Sequence, residues 1–173
     1  MARGHTEDDH VAVLVNRLLA ANKTLSGQAE WREGNPGDMR IRWPLLVWSS
    51  ISEAALHLTA FPNSPELRFS IALVYRVSIA RIDFVPDYEG HTNPLNRIGS
   101  LGAYRIRGPH YHAWADNRHL ATAAALPREL KCARALPPQI RRWEQAFRWF
   151  CDQVSIDLSG TAVIDVPPRS RLL

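Results

Sequence analysis

The sequence predicts an α+β fold: an antiparallel sheet of five or six strands with an N-terminal and a C-terminal helix packed on it. Three observations predict it. Apolar residues recur at helical spacing near the start (Val11, Leu14, Val15, Leu18, Leu19) and again near the end (Ile140, Trp143, Phe147, Phe150). Between them the apolar residues alternate with a period of two, as in Leu67, Phe69, Ile71, Leu73, Tyr75, Val77 and Ile79. Turn residues, Pro62-Asn63-Ser64-Pro65 above all, cut the alternating stretch into pieces.

The elements follow in order. A helix is expected over 6–22, capped by Thr6, with Glu7, Asp8 and Asp9 at its positive end. Residues 23–37 are polar and glycine-rich and read as a loop, with a short strand around Ala29 to Arg32. The sheet is placed over 38–122, with strands at Arg40 to Ser49 and Ala54 to Phe61. Glu66 to Phe84 alternates throughout, but as one strand it would reach about 60 Å, so a bend or bulge near Arg76 to Ser78 is expected. Residues 86–102 form a loop. Tyr104 to Arg107 and Tyr111 to Ala115 are strands on either side of Gly108-Pro109. Asp116-Asn117 turns into a short strand at His119 to Thr122. The C-terminal helix is placed over 138–154, begun by Pro137-Pro138, with Arg141, Arg142, Glu144, Gln145 and Arg148 on its outer side. Residues 167–173 read as a frayed tail.

The chain has 173 residues, which fits one domain over 1–173. Its 46% hydrophobic and 22% charged residues are the composition of a globular protein. No apolar run approaches the ~18 residues of a membrane span, and the N-terminus has no apolar signal core, so a cytoplasmic protein is expected. Cys132 and Cys151 have no metal spacing and read as reduced, buried thiols. The net charge is +4 and the basic residues are almost all arginine, which suits bidentate contact with phosphate or carboxylate. That balance permits nucleic acid as a partner, and an acidic protein equally.

The densest polar chemistry lies in residues 102–119, with His110, His112 and His119, Arg105, Arg107 and Arg118, Trp114 and Asp116. On a regular strand after Gly108-Pro109, His110, His112, Trp114 and Asp116 share one face. Two histidines two apart on a strand can ligate one metal. The spacing to Asp116 is close to the first cupin motif, but that motif carries glutamate at this place and glycine where Tyr104 stands. The later cupin histidine is also missing, because no histidine follows His119. A metal site completed by His91 or His119 stays open, as does a hydrogen-bonded pair that merely holds the loop 86–102. In metal-free acid–base chemistry on RNA, one histidine takes the 2′-hydroxyl proton, another protonates the leaving oxygen, and arginine steadies the charge on phosphorus. An open cleft around His110 and His112 would mark catalysis, whereas rings buried and bonded to backbone would mark a clamp.

Other motifs exclude more than they assign. His57-Leu58-Thr59 is a single His-x-Thr, and the two-copy phosphoesterases need a second. No phosphate-binding Gly-x-x-x-x-Gly-Lys loop, dinucleotide turn or nucleophile elbow is present. The arginines of the last helix, with Trp143, Phe147 and Trp149 between them, have the look of a nucleic-acid surface. Helical spacing instead puts Trp143, Phe147 and Phe150 in the core and leaves Trp149 off the stripe as a contact candidate.

The run Arg81-Ile82-Asp83-Phe84, then His91-Thr92-Asn93-Pro94, then Ile106-Arg107-Gly108-Pro109-His110-Tyr111-His112-Ala113-Trp114 resembles a family of small bacterial and phage proteins of unknown function. Ala125-Leu126-Pro127 and the Phe150-Cys151 pair continue the likeness, which covers about residues 76–156. The resemblance implies no activity. Its setting among prophage and defence genes implies toxin, anti-defence or regulatory roles.

The resulting expectation is a toxin-like protein acting on RNA or another phosphodiester. His110, His112, His91 and Arg107 are its catalytic candidates. Arg81, Asn93, Arg105, Trp114, Asp116, Arg118, His119 and Trp149 are its binding candidates. No metal ligand and no cofactor is assigned. The competing expectation is a non-catalytic inhibitor, anti-CRISPR-like, that blocks a nucleic-acid-binding complex, with the histidine motif structural.

Overall fold

The computed structural model describes residues 8–48, 50–122, 125–161 and 164–167. Among them the fold is α+β, with helices α1 (Asp8–Ala20), α2 (Ile98–Leu101), α3 (Trp114–Asn117) and α4 (Trp143–Gln153). Strands β1 (Lys23–Leu25), β2 (Arg32–Glu33), β3 (Met39–Val47), β4 (Ser50–Ala60), β5 (Phe69–Tyr75) and β6 (Val77–Phe84) come first. They are followed by β7 (Gly90–Thr92), β8 (Arg105–Arg107), β9 (His110–His112), β10 (Arg134–Ala135) and β11 (Ile156–Asp157). The main sheet runs β10-β9-β6-β5-β4-β3-β1-β11, with β2 added on β3. Every pairing in it is antiparallel except β1 with β11. The sheet has nine strands, more than the five or six expected, because short segments outside the alternating stretch join both edges. β7 and β8 form a separate antiparallel ribbon.

One face of the sheet is the core. Ile41, Leu58, Ile71, Ile82 and Tyr111 stand in register across β3, β4, β5, β6 and β9, and all but Tyr111 are buried. Helix α4 lies on this face. Trp143 packs edge-on to Phe69 at 4.7 Å, and Phe150 and Trp149 meet Tyr111. Val15 of α1 is fully buried, and the α1 C-terminus is closed by Lys23, whose Nζ donates to the carbonyls of Leu18 and Ala21, both at 2.6 Å.

The opposite face is polar because the side chains alternate. Arg42, His57, Ala72, Arg81 and His112 form one row across it, and Arg40, Thr59, Ser70, Asp83 and His110 form the next.

Several expectations are corrected. Phe69 to Phe84 is a hairpin and not one strand: the chain reverses at Arg76 (φ 63°), and a bulge is present beside the expected place, where Leu73 pairs with Ala80 but Val74 with Ser78. The bulge changes which parity faces the core, so Ile79, Ala80, Ile82 and Phe84 are all buried. Helix α4 begins at Trp143 and not at Pro138. Ile140 N–H closes a turn on Pro137, and Gln145 Oε1 accepts from Arg141 N and Arg142 N to start the helix. The expected strand at His119 to Thr122 is a 3₁₀ turn over Arg118–Leu120, and Thr122 makes only an isolated bridge with Ala125. The loop 86–102 contains β7 and α2. The Thr6 cap, Ser49 and the tail from residue 168 lie outside the described residues.

Candidate functional site

Strand β9 supplies His110 and His112, and its neighbour β6 supplies their partners. Asp83 stands opposite His110 and Arg81 opposite His112. Asp83 Oδ2 lies 3.6 Å from His110 Nε2, 3.3 Å from His112 Nε2 and 2.8 Å from the Arg81 guanidinium. His91 enters from the separate ribbon, where it pairs with Ile106. Its ring centroid is 4.7 Å from that of His112 and 5.4 Å from that of His110. One ring nitrogen from each of the three histidines lies within 4.8 Å of those of the others.

One nitrogen of each ring is bonded to a backbone carbonyl. His110 Nδ1 reaches Gly108 O at 2.9 Å, His112 Nδ1 reaches Cys132 O at 3.1 Å, and His91 Nε2 reaches Lys131 O at 2.8 Å. A carbonyl only accepts, so each of these nitrogens carries the proton. In the neutral rings the lone pairs are therefore on His91 Nδ1, His110 Nε2 and His112 Nε2. Gly108 can present its carbonyl this way because its φ of 73° is open to glycine.

Electrostatics follow from burial. His110 is 4% exposed and His112 is 0% exposed. Burial holds the His110 pKa below the ordinary histidine value, against the pull of the Gly108 carbonyl and Asp83. Burial likewise lowers that of half-exposed His91, against the Lys131 carbonyl. For Asp83, burial alone would raise the carboxyl. The hydrogen bond that His112 Nε2 donates when the ring carries a second proton, and the Arg81 charge, outweigh it and hold the group below the usual range. An open groove of about 530 Å³ runs past the cluster, lined by Arg81, His91, Asn93, Glu129 and Lys131 among others.

The structure thus brings together His91, His110, His112 and Arg81, and separates the other candidates. Asn93 is buried in the adjoining wall, bonded to the backbone of Ala103 and Ala133. Strand β9 ends at His112, so Trp114 and Asp116 leave its face for helix α3, contrary to the shared-face expectation. Trp114 is core and donates to Asn16 Oδ1 at 2.9 Å. Asp116 is buried in a two-bond pair with Arg134. Arg107 is exposed on a different cleft, with Pro86, Asp87 and Pro109. Arg105, Arg118 and His119 are exposed, and Trp149 is half-buried against Tyr111. Asp83 stood in the sequence only as part of the Arg81-Ile82-Asp83-Phe84 motif and was given no role, and Lys131 was not among the site candidates. For Asp83 the signal was there: it follows Arg81 by two on an alternating strand and so shares its face. Lys131 enters through its backbone carbonyl, which leaves no mark in a side-chain pattern.

Comparison of the chain with protein-family models, curated proteins and solved structures finds no match. The likeness to small bacterial and phage proteins rests on the motif residues alone.

Proposed function

We propose that this chain acts on a phosphodiester of RNA, with His91 as the group that moves the proton. The observation that supports the reading is the placement of His91. It is the one histidine of the cluster that is not buried, and it borders an open groove with Arg81 and Lys131 beside it. Its Nε2–H is held by Lys131 O, so Nδ1 is the base. The 2′-oxygen attacks phosphorus as His91 takes its proton, and the 5′-oxygen leaves with a proton from water in the groove. Arg81 and Lys131 face the charge that builds on the phosphoryl oxygens. His110 and His112, behind the surface, orient the cluster and do not touch the substrate.

The test is cleavage of end-labelled single-stranded RNA by the purified chain. The expected products are a 2′,3′-cyclic phosphate and a 5′-hydroxyl, with a loss of about 100-fold or more in His91→Ala, the usual scale for a removed general base. A wild-type protein that leaves every RNA intact overturns the reading.

A second reading, the non-catalytic binder, is favoured by a different observation. Tyr88, Leu95 and Tyr104 are 67%, 71% and 48% exposed within one stretch of chain, beside the exposed Arg105 and Arg107. Exposed aromatics with arginine suit a contact surface on a protein partner. Retention of a nucleic-acid-binding complex that is lost in Tyr88→Ser/Leu95→Ser, with no RNA cleaved, would decide for it.

A further inference from the structure

We propose that His91, His110 and His112 form a binding site for a single zinc ion, with the Asp83 carboxylate at its side. Once each outer N–H is fixed on a backbone carbonyl, lone pairs remain on His91 Nδ1, His110 Nε2 and His112 Nε2; the last two lie within 3.6 Å of Asp83 Oδ2, and a nitrogen of each ring lies within 4.8 Å of those of the others. That is the outer arrangement metal-bound histidines adopt: the second nitrogen is tied down, which sets the tautomer and aims the ring. Here it occurs three times, on Gly108 and on the adjacent Lys131 and Cys132.

Both rings are buried and bonded to backbone, as a clamp requires, but a clamp alone does not bring their inner nitrogens round one carboxylate. Two imidazole lone pairs turned toward a carboxylate at 3.3 and 3.6 Å repel it unless a cation, a proton on a ring or a metal ion, is shared among them. Arg81 answers part of that charge, bonded to Asp83 at 2.8 Å and 3.5 Å from His112 Nε2. Its side chain is 37% exposed and has solvent to withdraw into. The remaining set, three neutral imidazoles and one carboxylate, is nitrogen-rich with one hard oxygen and lacks thiolate, which suits zinc better than magnesium or calcium. Cys132 gives the site its carbonyl and not its sulfur. The half-exposed side, at His91 and the groove, leaves room for a water or substrate oxygen on the ion, as an open catalytic zinc site does.

The zinc site is an alternative to the metal-free step, because the one lone pair on His91 Nδ1 cannot both hold the ion and take the 2′-hydroxyl proton. When bound, it would supply a water of lowered pKa and a Lewis acid at the mouth of the groove.

The experiment uses the full chain, stripped with chelator, dialysed against zinc and analysed for bound metal, with melting followed in parallel. The wild type is expected to retain one zinc per chain and to melt higher with zinc than with chelator. Cobalt is expected to give the visible ligand-field absorption of a site with nitrogen ligands. His91→Ala is the decisive variant, because His91 is at the rim, on a ribbon separate from the main sheet. It is expected to match the metal-free wild type in circular dichroism and melting. Its zinc affinity should fall by more than the ~10–100-fold that loss of an outer partner costs. A His119→Ala control, at an exposed histidine outside the cluster, should bind as wild type. Zinc retained equally by His91→Ala, or no zinc retained by the wild type, overturns the proposal. RNA cleavage that persists in chelator would also overturn it for the working enzyme while leaving the RNA reading intact. Zinc binding without cleavage would do the reverse.

Discussion

Asn93 and Asn117 grip adjacent residues of one strap. The Asn93 amide accepts from Ala133 N–H at 2.8 Å and donates to Ala133 O at 3.0 Å. The Asn117 amide does the same to Cys132, both bonds at 2.8 Å. Each buried amide thus stands in for a β-strand partner of one residue. The strap they hold presents the carbonyls of Lys131 and Cys132 that orient His91 and His112. Two structural asparagines therefore aim two of the three histidines.

This coupling predicts how the asparagines fail. Asn117→Ala leaves the buried Cys132 N–H without a partner and should cost about 1–3 kcal/mol in urea unfolding, and Asn93→Ala about the same. Because the two residues act on neighbouring peptides, the double variant should depart from additivity by at least about 0.5 kcal/mol. Strict additivity would show that the strap is not one unit.

Gly90 is the second point of control over His91. A Cβ at this position would lie 1.9 Å from the Ile106 carbonyl oxygen, so β7 and β8 cannot stay paired around it. Gly90→Ala should displace His91 and remove zinc binding and RNA cleavage together, while the far-ultraviolet spectrum of the nine-stranded sheet persists. A variant that keeps both activities would show that the ribbon does not position the ring.

Asp116 and Arg134 pin helix α3 to β10 through two bonds of 2.7 Å. Arg134→Lys cannot reproduce the two-pronged contact and should cost most of the about 1.5–3 kcal/mol expected of a charge-assisted bond, since the carboxylate stays buried. Equal stability of Arg134→Lys and wild type in urea would remove the pair from the account.

His57 offers a pH test away from the site. Burial first, and then the charge of Arg42 opposite it in the sheet, hold its pKa below 6.5. A histidine with a folded pKa below its unfolded one leaves stability whole above pH 6.5 and withdraws it as pH falls through the folded value. Arg42→Gln should raise the His57 pKa in an NMR titration, and His57→Gln should flatten the acid limb of the stability curve. An unchanged titration in Arg42→Gln would refute the assigned cause.

The thiols give a final check. Cys151 is fully buried, which pushes its pKa up to about 12, and buried Cys132 is raised by burial against the pull of Arg97. At pH 8 a thiol reagent should label neither in the folded protein and both in denaturant. Rapid labelling of folded Cys151 would contradict its place on the buried face of helix α4.

Sequence by itself determined the class of fold and half of the cluster. Periodicity of 3.6 marked Val15 and the Trp143–Phe150 stripe as helical, and periodicity of two put His110 with His112 on a shared face, while Arg81 and Asp83 stood out only as a motif. These are local properties, fixed by backbone geometry over a few residues. Tertiary structure decided what meets what. The bulge before Val74 set the parity of β6, the choice of β6 as the neighbour of β9 put Asp83 and Arg81 opposite the histidines, and a separate ribbon delivered His91. It also chose the carbonyls of Gly108, Lys131 and Cys132 as the groups that orient the rings. Strand partners are chosen by packing across long stretches of chain, and a backbone carbonyl is the same atom in every residue, so neither leaves a signature in the order of the side chains.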